Sequence, residues 1–364
     1  MVTAIGSLLI MALAIYLLAI LTDEFFIESL DQISQKWRLP HNVAGASLMA
    51  MGSSAPELAI ALIALFSVGG EHSDVGIGTI VGSAVFNILV ITGISAIARP
   101  ARVTWQVVVR DCVVYTASIM LLLVAFYDGV INWVEALTFL ALYAIYIFIL
   151  FQWNKFIPNN DGQADQPHEE PAHKEGWSQL AWYKKVNYVV TRGFGFLTGD
   201  PRKAYIRAFI VSIIIIAAIS WVLVDYSVTF ADAVGIPPVI VALTVLAAGT
   251  SAPDLISSVI VAKQGRGEMA VANAVGSNIF DILVGLGLPW LIAIFALGNE
   301  VHVGTSNLWL STIILLGTVV LLFVFLSTGR LLSRIEGWAL VAVYIVFVLW
   351  TWLESTIMGW FGRA

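Results

Sequence analysis

The chain has few charged residues and only one cysteine. Of its 364 residues, 12% are Asp, Glu, Lys or Arg and 59% are hydrophobic, whereas soluble domains are nearer a quarter charged. The mean hydropathy is +0.91, which excludes an ordinary soluble domain and predicts a polytopic membrane protein. Because Cys112 has no second cysteine to pair with, the chain cannot form an internal disulfide.

The apolar runs also lack the residue pairs that intramembrane hydrolysis requires. Apart from His41, the first residue of its run, no run contains a His that could pair with a Ser, and none holds a His-Glu-x-x-His motif or paired Gly-Asp motifs. An intramembrane protease is therefore disfavoured, and we expect neither an enzyme nor a bound cofactor.

Ten apolar runs are each long enough to cross the hydrocarbon core as a helix. They fall at residues 3–22, 41–68, 75–98, 105–127, 131–153, 205–230, 236–262, 268–297, 305–328 and 335–357. The first run is expected to be a retained span, because no basic residue precedes it and no small-x-small cleavage site follows it. After it, Phe25 to Arg38 is amphipathic and is predicted to lie at the membrane interface. The fold class is thus an all-α polytopic membrane protein with ten transmembrane helices.

The basic residues are sorted by side of the membrane. If the N-terminus lies outside, seventeen of the eighteen Lys and Arg residues fall in inside connections, and only Arg363 falls outside. This distribution follows the positive-inside rule. We therefore expect a multi-pass protein of the cell membrane with both termini outside. The expected partners are the lipid bilayer and metal cations, with no nucleic acid and no obligate protein partner.

Two short motifs each occur twice along the chain. Ala-Met-Gly-Ser-Ser-Ala-Pro-Glu at 50–57 returns as Ala-Ala-Gly-Thr-Ser-Ala-Pro-Asp at 247–254, an offset of 197 residues. Val-Gly-Ser-x-x-Phe-Asn/Asp at 81–87 returns at 275–281, an offset of 194 residues. Each half of the chain holds five spans, an odd number, so the two halves must be inverted relative to each other.

A polar stretch without helical periodicity separates the two halves. It contains prolines and acidic residues between Pro158 and Pro171, which is typical of a flexible linker. We therefore expect residues 1–153 to form the first five-helix repeat, 154–204 a cytoplasmic linker, and 205–364 the second five-helix repeat.

Both copies of the first motif are predicted to break a transmembrane helix beside an acid. Proline lacks the amide donor and clashes with the preceding turn, so the second and seventh helices should be interrupted at Pro56 and Pro253. In lipid, such a break is tolerated only where the backbone is buried in protein or lines a cavity. Glu57 and Asp254 follow on the first turn of the next half-helix, where the helix dipole favours an anion. Acids at bilayer depth usually mark an ion pathway, which predicts one two-sided cation site.

Further polar side chains at the breaks and on the neighbouring spans are candidate ligands of this site. They are Ser53, Ser54, Thr250, Ser251, Ser83, Asn87, Ser277 and Asp281. Ser83 and Asn87 are four residues apart and share a helix face, as do their counterparts in the second half. Hard oxygen ligands suit calcium and sodium, and no Cys or His lies at this depth to favour zinc, copper or iron. For the Ser and Asn side chains alone, interhelical hydrogen bonding explains the pattern equally well.

The charge of the candidate site also bears on function. Glu57, Asp254 and Asp281 are the only carboxylates predicted at mid-depth, so a fully ionised site holds a charge of −3. One calcium ion leaves −1, and calcium with one monovalent cation, or several sodium ions, neutralises it. Because unpaired buried charges cost several kcal/mol each, the pattern favours exchange of one set of ions for another over uniport.

At these motifs the sequence resembles the cation/calcium exchanger superfamily, and is most like its potassium-dependent sodium/calcium exchanger branch. Residues 52–57 and 249–254 resemble the two alpha-repeat signatures of the family. Residues 78–89, and residues 275–281 with Leu288-Pro289-Trp290 after them, resemble the two repeats of that branch. The resemblance covers about residues 40–155 and 205–295, and the remainder agrees only in hydropathy.

The resemblance implies a role for each candidate ligand. It implies that Glu57 and Asp254 are the central calcium ligands, shared with sodium, and that the four hydroxyls at the breaks flank them. The four residues on the neighbouring spans would complete the cation sites, with Asp281 at a position that resembles the potassium-determining one. It also implies alternating access, in which the first and sixth spans slide against a core that holds the site.

The expected function is secondary active antiport of sodium against calcium, with potassium transported together with calcium. Two alternatives within transport stay open: a potassium-independent sodium/calcium antiporter, and a proton/calcium antiporter, since acids can exchange protons for cations. A passive channel fits an inverted repeat poorly. The central loop of about fifty residues is too short for calcium-sensing domains, so regulation by such domains is not expected.

Overall fold

The structure is a computed structural model that describes residues 2–36, 50–66, 73–102, 105–156, 182–265, 267–298, 300–303, 305–327 and 331–361. The secondary structure is almost wholly helical, as it must be where lipid offers no partner for backbone polar groups. Part of the second predicted span, and residues 157–181 of the predicted linker, lie outside the described residues.

The first half of the chain contains eight helices among the described residues. They are α1 Val2–Leu21, α2 Glu28–Lys36, α3 Ala50–Ser53, α4 Ala55–Phe66, α5 Ser73–Phe86, α6 Thr92–Ala98, α7 Trp105–Ala125 and α8 Trp133–Phe156. Two π-helical turns, Thr22–Ile27 and Asn87–Ile91, join α1 to α2 and α5 to α6. The two-residue strands β1 Ala101–Arg102 and β2 Val130–Ile131 also belong to this half.

The rest of the described chain repeats this pattern of long and broken helices. Its helices are α9 Trp182–Thr198, α10 Tyr205–Val234, α11 Pro238–Val241, α12 Ala247–Thr250, α13 Ala252–Lys263, α14 Gly267–Leu283, α15 Gly287–Leu297, α16 Thr305–Ser327 and α17 Arg334–Phe361. A third π-helical turn, Ala242–Leu246, joins α11 to α12. The strands of this half are β3 Val301–His302 and β4 Leu331–Leu332.

The first helix runs further than the sequence predicts. The predicted span ends at residue 22, with an interfacial segment after it, but the chain stays helical through the π-helical turn and α2 to Lys36. The extension packs against protein: Phe26 stacks on Phe209 of α10 at 5.4 Å, and Phe25 meets Phe194 of α9 edge to face at 6.3 Å. The apolar face that looked interfacial in sequence is therefore covered by other helices.

The described residues contain fewer candidate spans than the ten that were predicted. Eight helices are long and apolar enough to cross a membrane, or nine if the bent unit Pro238–Lys263 counts as one span. The helix α4 is apolar but has only 12 residues, and residues 41–49 of the same predicted span lie outside the described residues. The structure is thus that of an all-helical polytopic membrane protein with eight or nine candidate spans.

Each motif copy interrupts its helix at a single residue. Ser54 separates α3 from α4, and Ser251 separates α12 from α13, where the two arms meet at 44°. Each proline is the second residue of the following helix and has no amide hydrogen, so the carbonyl four residues earlier loses its usual partner. That carbonyl belongs to Gly52 in the first copy and to Gly249 in the second.

The helix formed by α5 and α6 is the centre of the fold. In an 18-residue apolar stretch of this helix, 89% of the residues are buried inside the protein. The corresponding stretches of α8 and α17 are only 17% and 22% buried. Glycines allow its neighbours to approach closely, as where the backbone of Gly82 lies against Leu243. The outer helices expose apolar side chains instead, as a lipid-facing surface requires. Polar residues on α5 therefore lie deep within the protein.

Two features of the connections relate the halves of the chain. The strands pair antiparallel across the halves, β1 with β4 and β2 with β3. The helices α8 and α17 begin with equivalent caps, Asn132 with Glu135 and Ser333 with Glu336, in which each Glu accepts from the backbone amide of its partner. In return, the Asn132 and Ser333 side chains accept from the backbone amides of the two Glu residues. Both members of the cap recur after 201 residues.

Candidate cation site

The ten predicted ligands lie on four helical units that pack together. The first break lies between α3 and α4, and the second between α12 and α13, while α3 packs on α14 and α12 packs on α5. Eight of the ten side chains are buried: Ser54, Glu57, Ser83, Asn87, Thr250, Ser251, Ser277 and Asp281. Ser53 and Asp254 are half-buried and line a cleft. The structure therefore brings the two motifs together in one polar region inside an apolar protein.

The three predicted mid-depth acids are close neighbours. The carboxylate of Asp281 is near enough to those of Glu57 and Asp254 to be repelled by both, and Glu57 and Asp254 also repel each other. Glu57 is 3% exposed and Asp281 is 2% exposed, so water does little to screen this repulsion. Without a counter-ion, the cluster of negative charge is unfavourable where it stands.

Hydroxyl groups from the breaks lie beside two of these acids. Thr250 and Ser251, at the second break, lie beside the Glu57 carboxylate of the first break. Ser54, at the first break, lies beside Asp281 of α14. Each break thus supplies oxygen atoms to an acid on another helical unit, which explains why neither motif copy could form the site alone.

Two equivalent contacts join α5 and the π-helical turn after it to α14. The Ser83 hydroxyl donates to Asp281 Oδ2 at 3.5 Å, and Asn87 Nδ2 donates to Ser277 Oγ at 3.4 Å. Ser277 follows Ser83 by 194 residues and Asp281 follows Asn87 by 194, so the repeat relates one contact to the other. The shared helix faces predicted from the four-residue spacing therefore meet across the centre of the protein.

Several oxygen atoms in this region lack a hydrogen-bond partner. Among the described residues, buried side-chain atoms without a partner include Glu57 Oε2, Asn87 Oδ1, Ser251 Oγ and Asp281 Oδ1. Each of these four oxygens belongs to a predicted ligand. The Ser251 hydroxyl lies beside Glu57 and can donate to one of the other three oxygens. A buried acceptor that is left without a donor costs about 1–3 kcal/mol, so this excess of acceptors favours a bound cation.

The donor set fits a hard cation. Carboxylate, amide and hydroxyl oxygens are the ligands that calcium and sodium prefer. In the described part of the chain, no three His, Cys, Asp or Glu side chains group closely enough to hold a metal by themselves. Hydroxyl and carbonyl oxygens would therefore have to complete the coordination of any ion held there.

One residue that the sequence analysis did not select organises this region. The side chain of Asn278 is fully buried. Its Nδ2 donates to the Ala84 carbonyl at 3.0 Å and to Tyr115 Oη at 2.9 Å. Its Oδ1 accepts a hydrogen bond from Asn87 Nδ2 at 2.9 Å. Asn278 thereby fixes the orientation of the Asn87 amide, and Asn87 Oδ1 is left without a donor. An amide side chain within an apolar span was the available signal. The ligands were chosen from positions that are polar in both halves, and the equivalent of Asn278 in the first half is Ala84.

A cleft leads from the surface to the second break. It encloses about 300 Å³, solvent at its mouth included, and its polar lining consists of Thr22, Asp23, Ser53, Thr250 and Asp254. Ile15, Leu18 and Ala19 of α1 also line it. Thr22 and Asp23 were not among the predicted ligands, because the sequence placed them at the end of the first span.

Comparison with known proteins agrees with this arrangement. The family described as sodium/calcium exchanger protein matches residues 7–152 and 205–353. The chain is 30% identical to sodium/potassium/calcium exchanger 4 of Homo sapiens, over 92% of this chain and 78% of that protein. It is 29% identical to sodium/potassium/calcium exchanger 2 of Gallus gallus, over 91% and 74% respectively.

Solved structures share the fold. The crystal structure of the H⁺/Ca²⁺ exchanger CAX superposes with a TM-score of 0.69 at 16% identity, covering 97% of this chain and 85% of that one. The sodium-calcium exchanger NCX_Mj superposes with a TM-score of 0.55 at 23% identity, covering 96% and 98%. At these identities the likeness concerns the fold alone. The family match and the curated relatives go further, and the chain belongs to the sodium/calcium exchanger family.

Proposed function

We propose that this protein is a secondary active antiporter that exchanges sodium for calcium by alternating access and carries potassium together with calcium. The observation that carries the proposal is the group of buried acceptor oxygens without donors at Glu57, Asn87, Ser251 and Asp281. A cation satisfies several neighbouring acceptors at once, whereas a water molecule brings only two donors and needs further donors for its own oxygen. The relatives named sodium/potassium/calcium exchangers supply the identity of the ions.

All ten predicted ligands have a place in this proposal. Glu57 and Asp254 are the central ligands of calcium and alternate ligands of sodium. Hydroxyl and amide oxygens flank them and complete the ion sites, together with one further acid: Ser53, Ser54, Thr250, Ser251, Ser83, Asn87, Ser277 and Asp281. A region with three acids is costly without cations, so it stays loaded with one set of ions until another replaces it. This property couples the two fluxes.

The architecture in the proposal is ten transmembrane helices in two inverted five-helix repeats, residues 1–153 and 205–364, joined by a cytoplasmic linker at 154–204. Antiparallel pairing of β1 with β4 and of β2 with β3 supports it, because exchanging the halves converts one pair into the other. The equivalent caps of α8 and α17 support it too. With seventeen of eighteen basic residues on one side, both termini lie outside.

The moving parts in the proposal are the first and sixth spans, α1 and α10. They pack along each other at the edge of the fold, and α1 crosses the second break where Ile15 lies against Gly249. A glycine at this crossing gives a smooth surface over which the helix can slide. Movement of this pair would open or close the cleft beside Asp254 while the central helix keeps its place.

Calcium flux measured with sodium and potassium varied independently tests the function. In vesicles loaded with sodium and diluted into sodium-free medium, the purified protein is expected to drive calcium uptake, and external potassium is expected to increase it. Vesicles with equal sodium on both sides are the control and should take up calcium only to the background level. Uptake that ignores the sodium gradient contradicts the proposal, and uptake driven by a pH jump without sodium identifies a proton/calcium antiporter.

Asp281→Asn tests the assignment of potassium. The substitution keeps the shape of the side chain and removes one of three negative charges, so the site has charge for calcium but none left for a monovalent companion. We expect calcium uptake to persist at a reduced rate, about tenfold lower, and to become independent of potassium. Asp232→Asn, which removes an exposed acid near the end of α10, is the matched control. Unchanged potassium dependence in Asp281→Asn contradicts the assignment.

A further inference from the structure

The cleft beside the second break contains polar groups that the exchange mechanism above does not use. Thr22 and Asp23 begin the π-helical turn that follows α1, and both line the cleft opposite Asp254. The extra residue in a π-helical turn widens the helix locally, and such turns are frequent at functional sites. Here the turn places a hydroxyl and a carboxylate at the cleft, at the end of an otherwise apolar helix.

The Thr22 hydroxyl points to a ligand. Thr22 is 3% exposed, and its Oγ1 has no hydrogen-bond partner in the part of the chain that the structure describes. A helical threonine usually bonds to the carbonyl one turn earlier, as Thr250 does to Leu246 at 3.1 Å. A buried hydroxyl that forgoes this bond has an oxygen to offer to something in the cleft.

Asp23 supplies charge at the mouth of the same cleft. Its side chain is exposed, and the Asp254 carboxylate across the cleft is close enough to repel it. No hydrogen bond or ion pair joins Asp23 to another residue within the described ranges. Within the cleft lining that the structure describes, Asp23 and Asp254 are the charged residues. Two neighbouring carboxylates attract cations from solution and concentrate them in the cleft.

The acids form a graded series from solvent to the centre of the protein. Asp23 is exposed, Asp254 is half-buried, and Glu57 is 3% exposed. A cation that moves inward past Asp23 and Asp254 to Glu57 would therefore lose its surrounding water step by step. An ion that still holds much of its water can be bound at Asp23, and needs full protein coordination only at Glu57.

We propose that Thr22 and Asp23, together with Asp254, form a capture subsite that binds a partly hydrated divalent cation before it enters the central site. The inference rests on the proposed function, because it assigns the route by which calcium reaches Glu57. The few protein oxygens imply weak binding, with a dissociation constant on the order of 10⁻⁴–10⁻³ M. Weak binding suits capture, since the ion must leave again towards the centre.

Transport kinetics test the subsite directly. Asp23→Asn is expected to raise the KM for calcium about three- to tenfold at low ionic strength, with much less effect in high salt, because the charge acts through solvent. The maximal rate should stay near that of the wild type, since the central ligands are intact. The KM effect should appear only when calcium is presented on the membrane face where α1 ends. A merely structural role would instead lower the maximal rate from both faces.

Three further variants sharpen the test. Asp23→Glu restores the charge and should restore the KM. Thr22→Val keeps the shape and removes the unpartnered oxygen, so it should fold normally and raise the KM about twofold. Glu24→Gln removes a neighbouring exposed acid outside the cleft lining and is the matched control, with an unchanged KM. Equal KM values for the wild type, Asp23→Asn and Thr22→Val, on either face, overturn the capture subsite and leave sodium/calcium exchange standing.

A binding measurement tests the subsite without transport. In detergent, electron paramagnetic resonance of added Mn²⁺ should detect one weakly bound ion in the wild-type protein that is absent in Asp23→Asn and present in Glu24→Gln. If the wild type fails to exchange sodium for calcium but this difference is found, the proposed function is wrong and the cation subsite stands. If Asp23→Asn binds as much Mn²⁺ as the wild type, the subsite is wrong.

Discussion

Glu57→Gln is expected to abolish sodium-driven calcium uptake. The substitution removes one of three negative charges and replaces an acceptor oxygen by a donor amide that faces the cation. We expect calcium affinity to fall by at least about 100-fold, which corresponds to about 2.8 kcal/mol of binding free energy. This lower limit is modest, because removing one partner of a buried charge pair typically costs about 3–5 kcal/mol. The measurement is calcium uptake into sodium-loaded vesicles, together with calcium binding in detergent.

Thermal stability separates loss of the ligand from loss of the fold. In a chelator, Glu57→Gln should melt at the same temperature as the wild type or higher, because it relieves repulsion with Asp254 and Asp281. Calcium should raise the melting temperature of the wild type through binding and leave that of the variant unchanged. Asp232→Asn, the exposed control, should behave as the wild type in both assays. A calcium-dependent shift that persists in Glu57→Gln contradicts the role of this carboxylate.

Gly82→Ala is expected to be the most destabilising single-methyl change in the core. A methyl group at this position would lie 2.7 Å from both the carbonyl carbon and the Cα of Leu243, and closer still to the carbonyl oxygen. Backbone cannot rotate away as the end of a side chain can, so we expect the upper end of the 1–3 kcal/mol or so typical of overpacking, or more. The measurement is the melting temperature of the purified protein in detergent, and its yield.

Gly317→Ala is the matched control for this change. Gly317 is exposed in the middle of α16, and no described atom lies within 4 Å of the position that its methyl group would take. The same substitution should therefore stabilise by roughly 0.5–1 kcal/mol, since alanine is the better helix former. If both variants lower the melting temperature equally, close packing between α5 and the π-helical turn at Ala242–Leu246 is not what Gly82 provides.

The breaks and their acids could be predicted because their causes are local. A proline removes a backbone donor wherever it occurs in a helix, and the residue after it then falls on the first turn of the next half-helix. The structure confirms that Glu57 and Asp254 hold this position. The prediction also required the repeat, since one Pro-acid pair in an apolar run is compatible with a simple kink.

Other features depend on contacts that no local pattern encodes. The stretch after Thr22 is amphipathic in sequence, and whether its apolar face meets lipid or α10 depends on where α10 lies. For the number of spans, hydropathy predicts ten, and the described residues contain eight or nine candidate spans. The proposed capture subsite depends on the π-helical turn at Thr22–Ile27. Such a turn adds one residue to the helical hydrogen-bond pattern, and the amino-acid composition does not reveal it.

The predicted ligands show the same division. Their chemical type was clear from the sequence, because buried oxygen-bearing side chains in lipid need a reason to be there. Their pairing was not: Ser83 meets Asp281, and Asn87 meets Ser277 and Asn278, across about 190–200 residues of chain. Asn278 acquires its importance entirely from these neighbours, since its equivalent in the first half is Ala84.

The sequence by itself determined the membrane class, the duplicated motifs, the two helix breaks and the oxygen chemistry beside them. Composition, proline and charge act over a few residues and need no knowledge of the fold. Only the tertiary structure decided which oxygens are left without donors, how three acids come near enough to repel one another, and which part of α1 lines the cleft. The reason is that hydrogen-bond satisfaction and electrostatic repulsion depend on distances between helices, and those distances are set by packing of the whole chain.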